Sequence, residues 1–193
     1  MRRYVRRFLK DTDAAVAMET LIITPILAWL FVASFIFFDA FRAYNTSLKA
    51  TYAIADVLSR QTDTIFGSDL EGLADVFDHI TRNTAGSSMR VTEISQSDDQ
   101  YLIRWSYATD GRARLFNANL PEFEEQLPVM AVGDRILLVE TFLPYDPFFD
   151  LGFEGIEFTN FTVTRPRFAG LVPFNDGSAP TYCPTGCDVG EGS

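Results

Sequence analysis

The sequence predicts an α+β protein, in which a long N-terminal transmembrane helix continues into a domain built on an antiparallel sheet of about four strands. The first observation is that residues 14–38, AAVAMETLIITPILAWLFVASFIFF, contain a single charged residue, Glu19. A helix of about 20 apolar residues crosses the ~30 Å hydrocarbon layer of a bilayer, so residues 15–38 are expected to span a membrane. The second observation is that residues 89–165 contain short runs of β-branched and aromatic residues, separated by turn signals, which indicate a sheet.

Charge is distributed unevenly along the chain. The first 13 residues contain five basic and two acidic side chains, whereas the net charge of the whole chain is −10. Basic residues next to a span hold that end in the cytoplasm. We therefore expect residues 1–14 to be a cytoplasmic leader and residues 39–193 to form a domain across the membrane. The lipid bilayer is the first expected partner, and the acidity of the domain argues against nucleic acid, which binds positively charged surfaces.

Two helices are predicted at the start of the domain. The span is expected to continue as a helix to about residue 62, because apolar residues that would face the domain recur at intervals of three and four. These residues are Phe41, Tyr44, Leu48, Tyr52, Ala55 and Leu58. A break at residues 65–67 precedes a second helix, which a capping box formed by Ser68 and Glu71 would open. Its buried side would consist of Leu70, Leu73, Phe77 and Ile80.

Four strands are predicted after the second helix. Residues 89–95 and 101–107 should pair as a hairpin. The alternation within the second run predicts one common face for Tyr101, Ile103, Trp105 and Tyr107. Residues 134–143 are apolar on both faces except at Glu140, which predicts a central strand, and residues 157–165 should pair with it.

The remaining stretches are predicted to be short or irregular. Asn119, followed by Pro121, would cap a short helix over residues 119–127. Residues 144–155, PYDPFFDLGFEG, read as an aromatic loop. The chain from residue 166 onward is rich in Gly and Pro and is expected to be irregular.

No motif for catalysis is present in the sequence. It contains no G-x-S-x-G, no H-E-x-x-H, no P-loop and no dinucleotide-binding turn. Its one histidine, His79, does not suffice for a catalytic triad and a metal site. The adjacent carboxylates Glu124 and Glu125, like Asp98 and Asp99, are typical of solvated loops. We therefore expect a non-enzymatic protein without catalytic residues, metal ligands or a cofactor.

Two cysteines lie near the C-terminus, in the segment YCPTGC. If the domain is exported, its oxidising surroundings favour a disulfide between Cys183 and Cys187, and two free thiols are the alternative. A metal or redox site fits less well, because three residues separate the cysteines and His79 is distant in sequence.

The junction between the leader and the span contains a recognisable pattern. A secretory signal peptide fits poorly, because the apolar run exceeds the usual ~7–15 residues and no A-x-A-like site follows it. The stretch RFLKDTDAAVAMETLIITPIL instead resembles the class III signal of type IV pilin-like proteins. It is most similar to that of the TadE-like pseudopilins of the tight-adherence (Flp, type IVb) pilus system. The resemblance extends over about residues 7–63.

In that family a prepilin peptidase cuts on the cytoplasmic side of the span, usually after Gly and five residues before Glu. Placing Glu19 at the fifth position after the cut puts the cut between Ala14 and Ala15. Ala14 stands where Gly is usual and Thr20 where Phe is usual, so a cleaved and an uncleaved leader both remain open. The resemblance implies that Glu19 sets the register of packed helices by pairing with the N-terminal amine of a neighbour. Solvation of Glu19 by lipid head groups is the alternative.

The resemblance also implies a location and a function. It implies a pilin-like fold with a periplasmic domain, anchored in the inner membrane of a Gram-negative bacterium, and a role as a minor pseudopilin in the assembly of an adhesive pilus. The implied partners are other pilin-like subunits, the pilus assembly platform and prepilin peptidase. The alternative is a single-pass inner-membrane protein, unrelated to pili, whose periplasmic domain binds or senses a ligand. In that case the aromatic loop would be the contact surface, with Phe148, Phe149 and Phe153 as an exposed apolar patch.

Overall fold

The computed structural model describes residues 12–97, 100–147 and 155–175 of the 193-residue chain, with the backbone alone for residues 12–15 and 124. One helix, α1 (Thr12–Ser59), contains 48 residues and is therefore about 72 Å long. It passes through Pro25 without ending. The sequence placed this helix at about residues 15–62, and the observed helix begins and ends a few residues earlier.

The four-stranded antiparallel sheet predicted from the sequence is confirmed. It consists of β2 (Ser88–Ser97), β3 (Gln100–Ala108), β4 (Arg135–Tyr145) and β5 (Ile156–Thr164), in the spatial order β3-β2-β4-β5. All three pairings are antiparallel. The first two strands form the predicted hairpin, and β4 lies inside the sheet with β5 as its partner, because its two apolar faces can be buried only there.

The other elements are α2 (Gly67–Thr81), a helical segment centred on α3 (Leu120–Phe123), and a parallel pair of two-residue strands, β1 (Ile65–Phe66) and β6 (Phe174–Asn175). The sequence predicted only a break at the first of these strands and irregular chain at the second. That prediction was wrong at this point, because a two-residue pairing between residues 109 positions apart leaves no periodic pattern in the sequence.

The predicted caps differ in detail from those observed. At the start of α2 the carboxylate of Asp69, rather than Ser68, accepts a hydrogen bond from the backbone N–H of Phe66, at 2.8 Å. Glu71 accepts a hydrogen bond from the hydroxyl of Tyr107, at 2.9 Å, and so joins α2 to the sheet. Before α3, a 3-10 turn begins at residue 117, so the helical segment starts two residues before the predicted cap, Asn119.

The sheet has an apolar core on each face. On one face, α1 and α2 cover side chains that include Val91, Trp105 and Val139. On the other face, the segment that contains α3 covers Ile94, Ile103, Ile136 and Leu138. Consecutive residues from Ile136 to Val139 therefore belong to different cores, which explains why this part of β4 is a continuous apolar run.

A β-bulge at Arg104 divides β3 between the two cores. Glu93 of β2 lies opposite Trp105, whereas the next residue, Ile94, lies opposite Ile103, so Arg104 is an extra residue in β3. An extra residue reverses the facing of all side chains beyond it. The predicted common face for Ile103 and Trp105 was therefore wrong, and they point into opposite cores.

The face of α1 that packs on the sheet is rich in small side chains, so the predicted stripe is confirmed only in part: Ala55 and Leu58 are buried, whereas its aromatic residues are exposed. The buried residues are Ser47, Ala50, Thr51, Ile54, Ala55, Leu58 and Ser59. Phe41 and Tyr52 are 58% and 55% exposed and point away from the domain. Ile80 of α2, also predicted to be buried, is 41% exposed. Small residues let the helix axis approach the strands closely, so the interface selects against aromatic side chains.

A layer of polar side chains lies inside the contact between α1 and the sheet. The hydroxyls of Thr51 and Thr141 are 2.6 Å apart, and both side chains are fully buried. The amide of Asn160 on β5 donates to the hydroxyl of Ser47. Buried hydrogen bonds of this kind are directional, so they fix the position of α1 on the sheet more closely than apolar packing does.

Candidate functional site

The N-terminal half of α1 exposes apolar side chains on all sides. Within residues 16–38 most large apolar side chains are exposed, from Ile23 at 42% to Phe37 at 74%, and only Val32 and Ile36 among them are half-buried. α1 is long and apolar enough to cross a bilayer, and none of its most apolar window is buried against the domain. A core helix of a water-soluble domain buries its apolar face, so this surface indicates a single membrane anchor near the N-terminus.

The two threonines in this half of α1 satisfy their hydroxyls within the helix. The hydroxyls of Thr20 and Thr24 donate to the carbonyls of Val16 and Thr20, at 2.9 and 2.6 Å. These bonds leave neither threonine with a free hydroxyl donor to face lipid. Ser34 and Glu19 have no such bond, and the carboxylate of Glu19 is exposed without a partner among the described residues. A charge at mid-bilayer costs about 2.5–3.5 kcal/mol on insertion scales, so Glu19 requires either the lipid interface or a partner from another chain.

The other residues singled out from the sequence are only partly described. The peptide bond between Ala14 and Ala15 lies in the backbone of the first turns of α1. Cys183 and Cys187, and the aromatic residues Phe148, Phe149 and Phe153, lie outside the described residues. Within residues 12–97, 100–147 and 155–175, no group of three or more His, Cys, Asp or Glu side chains could hold a metal ion.

A contact joins the domain to α1 directly after the apolar run ends. The hydroxyl of Tyr145, at the end of β4, donates to the carboxylate of Asp39 at 3.1 Å. Burial raises the pKa of Tyr145 to about 12, and the hydrogen bond to Asp39 and its negative charge act in the same direction. Tyr145 therefore remains a protonated donor at neutral pH. The ring of Phe158 packs against both Tyr145 and Tyr44, with centroids 5.1 and 5.8 Å apart, and completes the junction.

An open cleft of about 890 Å³ lies beside this junction. Three parts of the chain form it: residues 39–46 of α1, the end of α2 with residues 82–85, and the ends of β4 and β5. Its charged side chains are Asp39, Arg42, Arg82, Asp146 and Glu157. Sequence reasoning missed this cleft, because its charged residues lie up to 118 positions apart and no motif relates them.

A buried carboxylate, Glu93, lies far from the span and has a structural role. It is 1% exposed, and its two oxygens accept hydrogen bonds from the backbone N–H of Val172, at 3.0 Å, and from Arg135, at 3.2 Å. Burial raises the pKa of Glu93, while the Val172 N–H and the Arg135 charge act to lower it. The indole N–H of Trp105 donates to the carbonyl of Val172, at 3.0 Å. Glu93 and Trp105 together hold the segment before β6 against the sheet.

Comparison with known proteins adds no further constraint: no family model, no curated protein and no solved structure matches this chain. The functional proposals below therefore rest on the residues and geometry of the chain itself.

Proposed function

We propose that this chain is a non-enzymatic, TadE-like minor pseudopilin, anchored in the inner membrane of a Gram-negative bacterium, that serves the assembly of an adhesive Flp (type IVb) pilus. The observation that supports this best is the continuity of α1. One helix of 48 residues has an apolar half that the domain leaves exposed and a second half that packs on the sheet. Helix followed by an antiparallel sheet is the arrangement that the resemblance of the leader implies.

In this proposal the basic leader remains on the cytoplasmic side and the acidic domain lies in the periplasm. Residues 15–38 cross the membrane, and helices of neighbouring pilin-like subunits pack against them. Glu19 would then meet the N-terminal amine of a neighbour, and the strong attraction between opposite charges in a medium of low dielectric would set the axial register. A carboxylate without a partner among the described residues, at the start of an otherwise uncharged span, supports this role.

The test is the intact mass of the protein extracted from membranes of a strain that has prepilin peptidase. Processing would remove residues 1–14, and Ala14→Asp would block it because the peptidase requires a small residue before the cut. Glu19→Ala should abolish surface piliation and adhesion, whereas Asp63→Ala, which removes a carboxylate from the segment after α1, should leave both unchanged.

Two results would contradict the assembly role. One is normal piliation and adhesion after deletion of the gene. The other is normal piliation in the Glu19→Ala strain, which would leave the membrane anchor intact but remove the role of its carboxylate. If the intact mass is that of the full-length chain and piliation still requires Glu19, an uncleaved chain takes part in assembly.

A second candidate function is a single-pass anchored domain that binds or senses a ligand in the periplasm. The cleft beside the junction is the observation that favours it, since it is polar, open and large enough for a small molecule. The two functions are separated by piliation: a sensory domain would be dispensable for pili, and the pseudopilin would not.

A further inference from the structure

Two guanidinium groups without partners line the cleft. Arg42 lies on α1 just beyond the apolar run, and Arg82 is the left-handed residue that ends α2, with a φ of 57°. Both side chains are exposed, and neither forms a hydrogen bond or ion pair within residues 12–97, 100–147 and 155–175. Two such groups from separate elements form a site for an oxyanion, because guanidinium groups bind phosphate oxygens in pairs of hydrogen bonds.

The side-chain amide of Asn83 also lies at the cleft. The side-chain oxygen of Asn83 accepts a hydrogen bond from the backbone N–H of Ala85, at 3.0 Å, which fixes the orientation of the amide. Its Nδ2 group is buried and has no hydrogen-bond partner among the described residues. With less than 1 Å² of its surface exposed, this group is closed to a ligand in the cleft, so Asn83 serves the turn after α2 and offers no donor.

The cleft also has free negative charge. Asp146, at the end of β4, has no partner within the described residues, and Asp39 uses one oxygen to accept from Tyr145. Glu157 is already paired with Arg112. The groups left for a ligand are therefore the guanidinium ions of Arg42 and Arg82 and the carboxylates of Asp39 and Asp146. This balance suits a ligand with both a phosphate and an ammonium group better than a simple anion.

The depth of the cleft relative to the bilayer defines where such a ligand would come from. Arg42 lies four residues, or about 6 Å, beyond Phe38, the last residue of the apolar run. The polar head-group layer on each side of a bilayer is about 5–7 Å thick. A span that ends at Phe38 therefore places the guanidinium group of Arg42 at the level of the phospholipid phosphates.

We propose that the cleft binds the head group of a zwitterionic aminophospholipid, with Arg42 and Arg82 on its phosphate and Asp39 and Asp146 on its primary ammonium. The acyl chains of this lipid would lie along the apolar half of α1. The inference rests on the membrane anchor of the proposed function but does not depend on a role in pili. Lipid bound at this site would hold the domain at a fixed height and rotation above the membrane.

The test uses the full chain, reconstituted into phosphatidylcholine vesicles that contain a minor fraction of phosphatidylethanolamine and phosphatidylglycerol. The protein is then extracted in detergent, and the lipid that remains bound is identified by mass spectrometry. Phosphatidylethanolamine should be enriched over the other two. The double variant Arg42→Gln/Arg82→Gln should retain about tenfold less of it, because two charge-assisted contacts are lost.

Two further variants make the result specific. Asp146→Asn should lower the retained phosphatidylethanolamine and raise the retained phosphatidylglycerol, an exchange that partial unfolding would not produce. The matched control is Arg60→Gln/Arg167→Gln, which removes two exposed guanidinium groups at the far end of α1, where both contact Asp56. This control should retain the same lipids as the wild type.

Three outcomes overturn the proposal: equal retention of phosphatidylethanolamine by the wild type and the Arg42→Gln/Arg82→Gln variant, equal enrichment of phosphatidylglycerol, and tighter binding of soluble glycerophosphoethanolamine than of phosphatidylethanolamine. The last would assign the cleft to a free phosphoamine instead of a membrane lipid. Sedimentation with membranes and piliation are scored separately, so a failure of the pilus role is distinguishable from a failure of the lipid site.

Discussion

At the scale of single residues, the domain is held together by buried carboxylates that are fully paired. Glu140 of β4 lies opposite Arg90 of β2, and the two groups form two contacts, at 2.7 and 2.8 Å. Arg90 also donates to the carbonyl of Ala113 and so fixes the chain that follows β3. Removing one partner from such a pair costs about 3–5 kcal/mol, because a buried charge is left unpaired. These pairs define the register of the central strands, and they do not form a catalytic site.

The buried carboxyl group of Glu93 predicts how the stability of the domain depends on pH. Its folded-state pKa is raised above the ordinary value of 4.5, so the folded state binds a proton more tightly than the unfolded state does. The wild type should therefore be most stable relative to Glu93→Gln below pH 4.5, and this advantage should decrease as pH rises through the raised pKa.

The measurement is urea unfolding of the full chain in detergent from pH 4 to pH 8, followed by Trp105 fluorescence in a Trp29→Phe background, which removes the other of the two tryptophans. Gln keeps an acceptor for the N–H of Val172, so the two proteins differ mainly in charge. If the stability advantage of the wild type over Glu93→Gln grows with pH, the charge of Arg135 has a larger effect on the pKa of Glu93 than burial has. That result would contradict the assigned upward shift of the pKa.

At the scale of elements, α1 changes its surroundings along its length while its backbone stays helical. Its first half exposes large apolar side chains, and its second half packs a narrow face of small residues on the sheet. The change occurs between Asp39, which bonds to Tyr145, and Ser47, the first buried residue of the helix. The tight contact beyond this point predicts that added volume on the inner face separates helix and sheet.

Ala50→Phe should therefore destabilise the domain by about 1–3 kcal/mol or more, because Ala50 is 2% exposed and the core has no room for a ring. Ala53→Phe, one turn away on the exposed side of the same helix, is the matched control and should stay within about 0.5 kcal/mol of the wild type. Thermal unfolding of both variants in the same detergent compares them. Equal loss of stability in the two variants would contradict the assigned inner face of α1.

The sequence was a good guide to those elements whose pattern is local. The two apolar faces of β4 predicted its place inside the sheet, and the polar turn after residue 95 predicted the β2–β3 hairpin. It was a poor guide where the partner is distant. Apolar and polar residues alternate regularly around Arg104, so the sequence does not indicate the β-bulge there. Phe41 and Tyr52 follow the helical period of the apolar residues, although both side chains face outward.

The candidate sites divide in the same way. The composition of residues 14–38 alone indicates a membrane span in which Glu19 is the single charged residue. The cleft needs three elements to meet, and its residues occur singly in segments that look like ordinary polar surface. Periodicity and short motifs report neighbours along the chain, so a site made across the fold leaves no comparable signal.

At the scale of the whole molecule, the fold restricts how copies in one membrane can meet. β5 is an outer strand of the sheet, and antiparallel pairing of β5 from two copies would require a twofold axis perpendicular to the sheet. Such an axis reverses the direction of α1, which packs along that sheet, and would send the two spans in opposite directions. Copies that share one orientation can instead contact each other along α1, as the proposed packing through Glu19 requires.

The most direct test of the central claim, that α1 crosses the membrane and continues into a domain on its outer side, is the labelling of single cysteines by an impermeant maleimide. In a Cys183→Ser/Cys187→Ser background, cells with a permeabilised outer membrane and an intact inner membrane are treated with the reagent. We predict that Ala53→Cys reacts rapidly and that Leu30→Cys, 59% exposed on the isolated chain but within the span, stays unlabelled. Equal labelling of both positions, or labelling of Ala53→Cys only after the inner membrane is broken, would contradict the account.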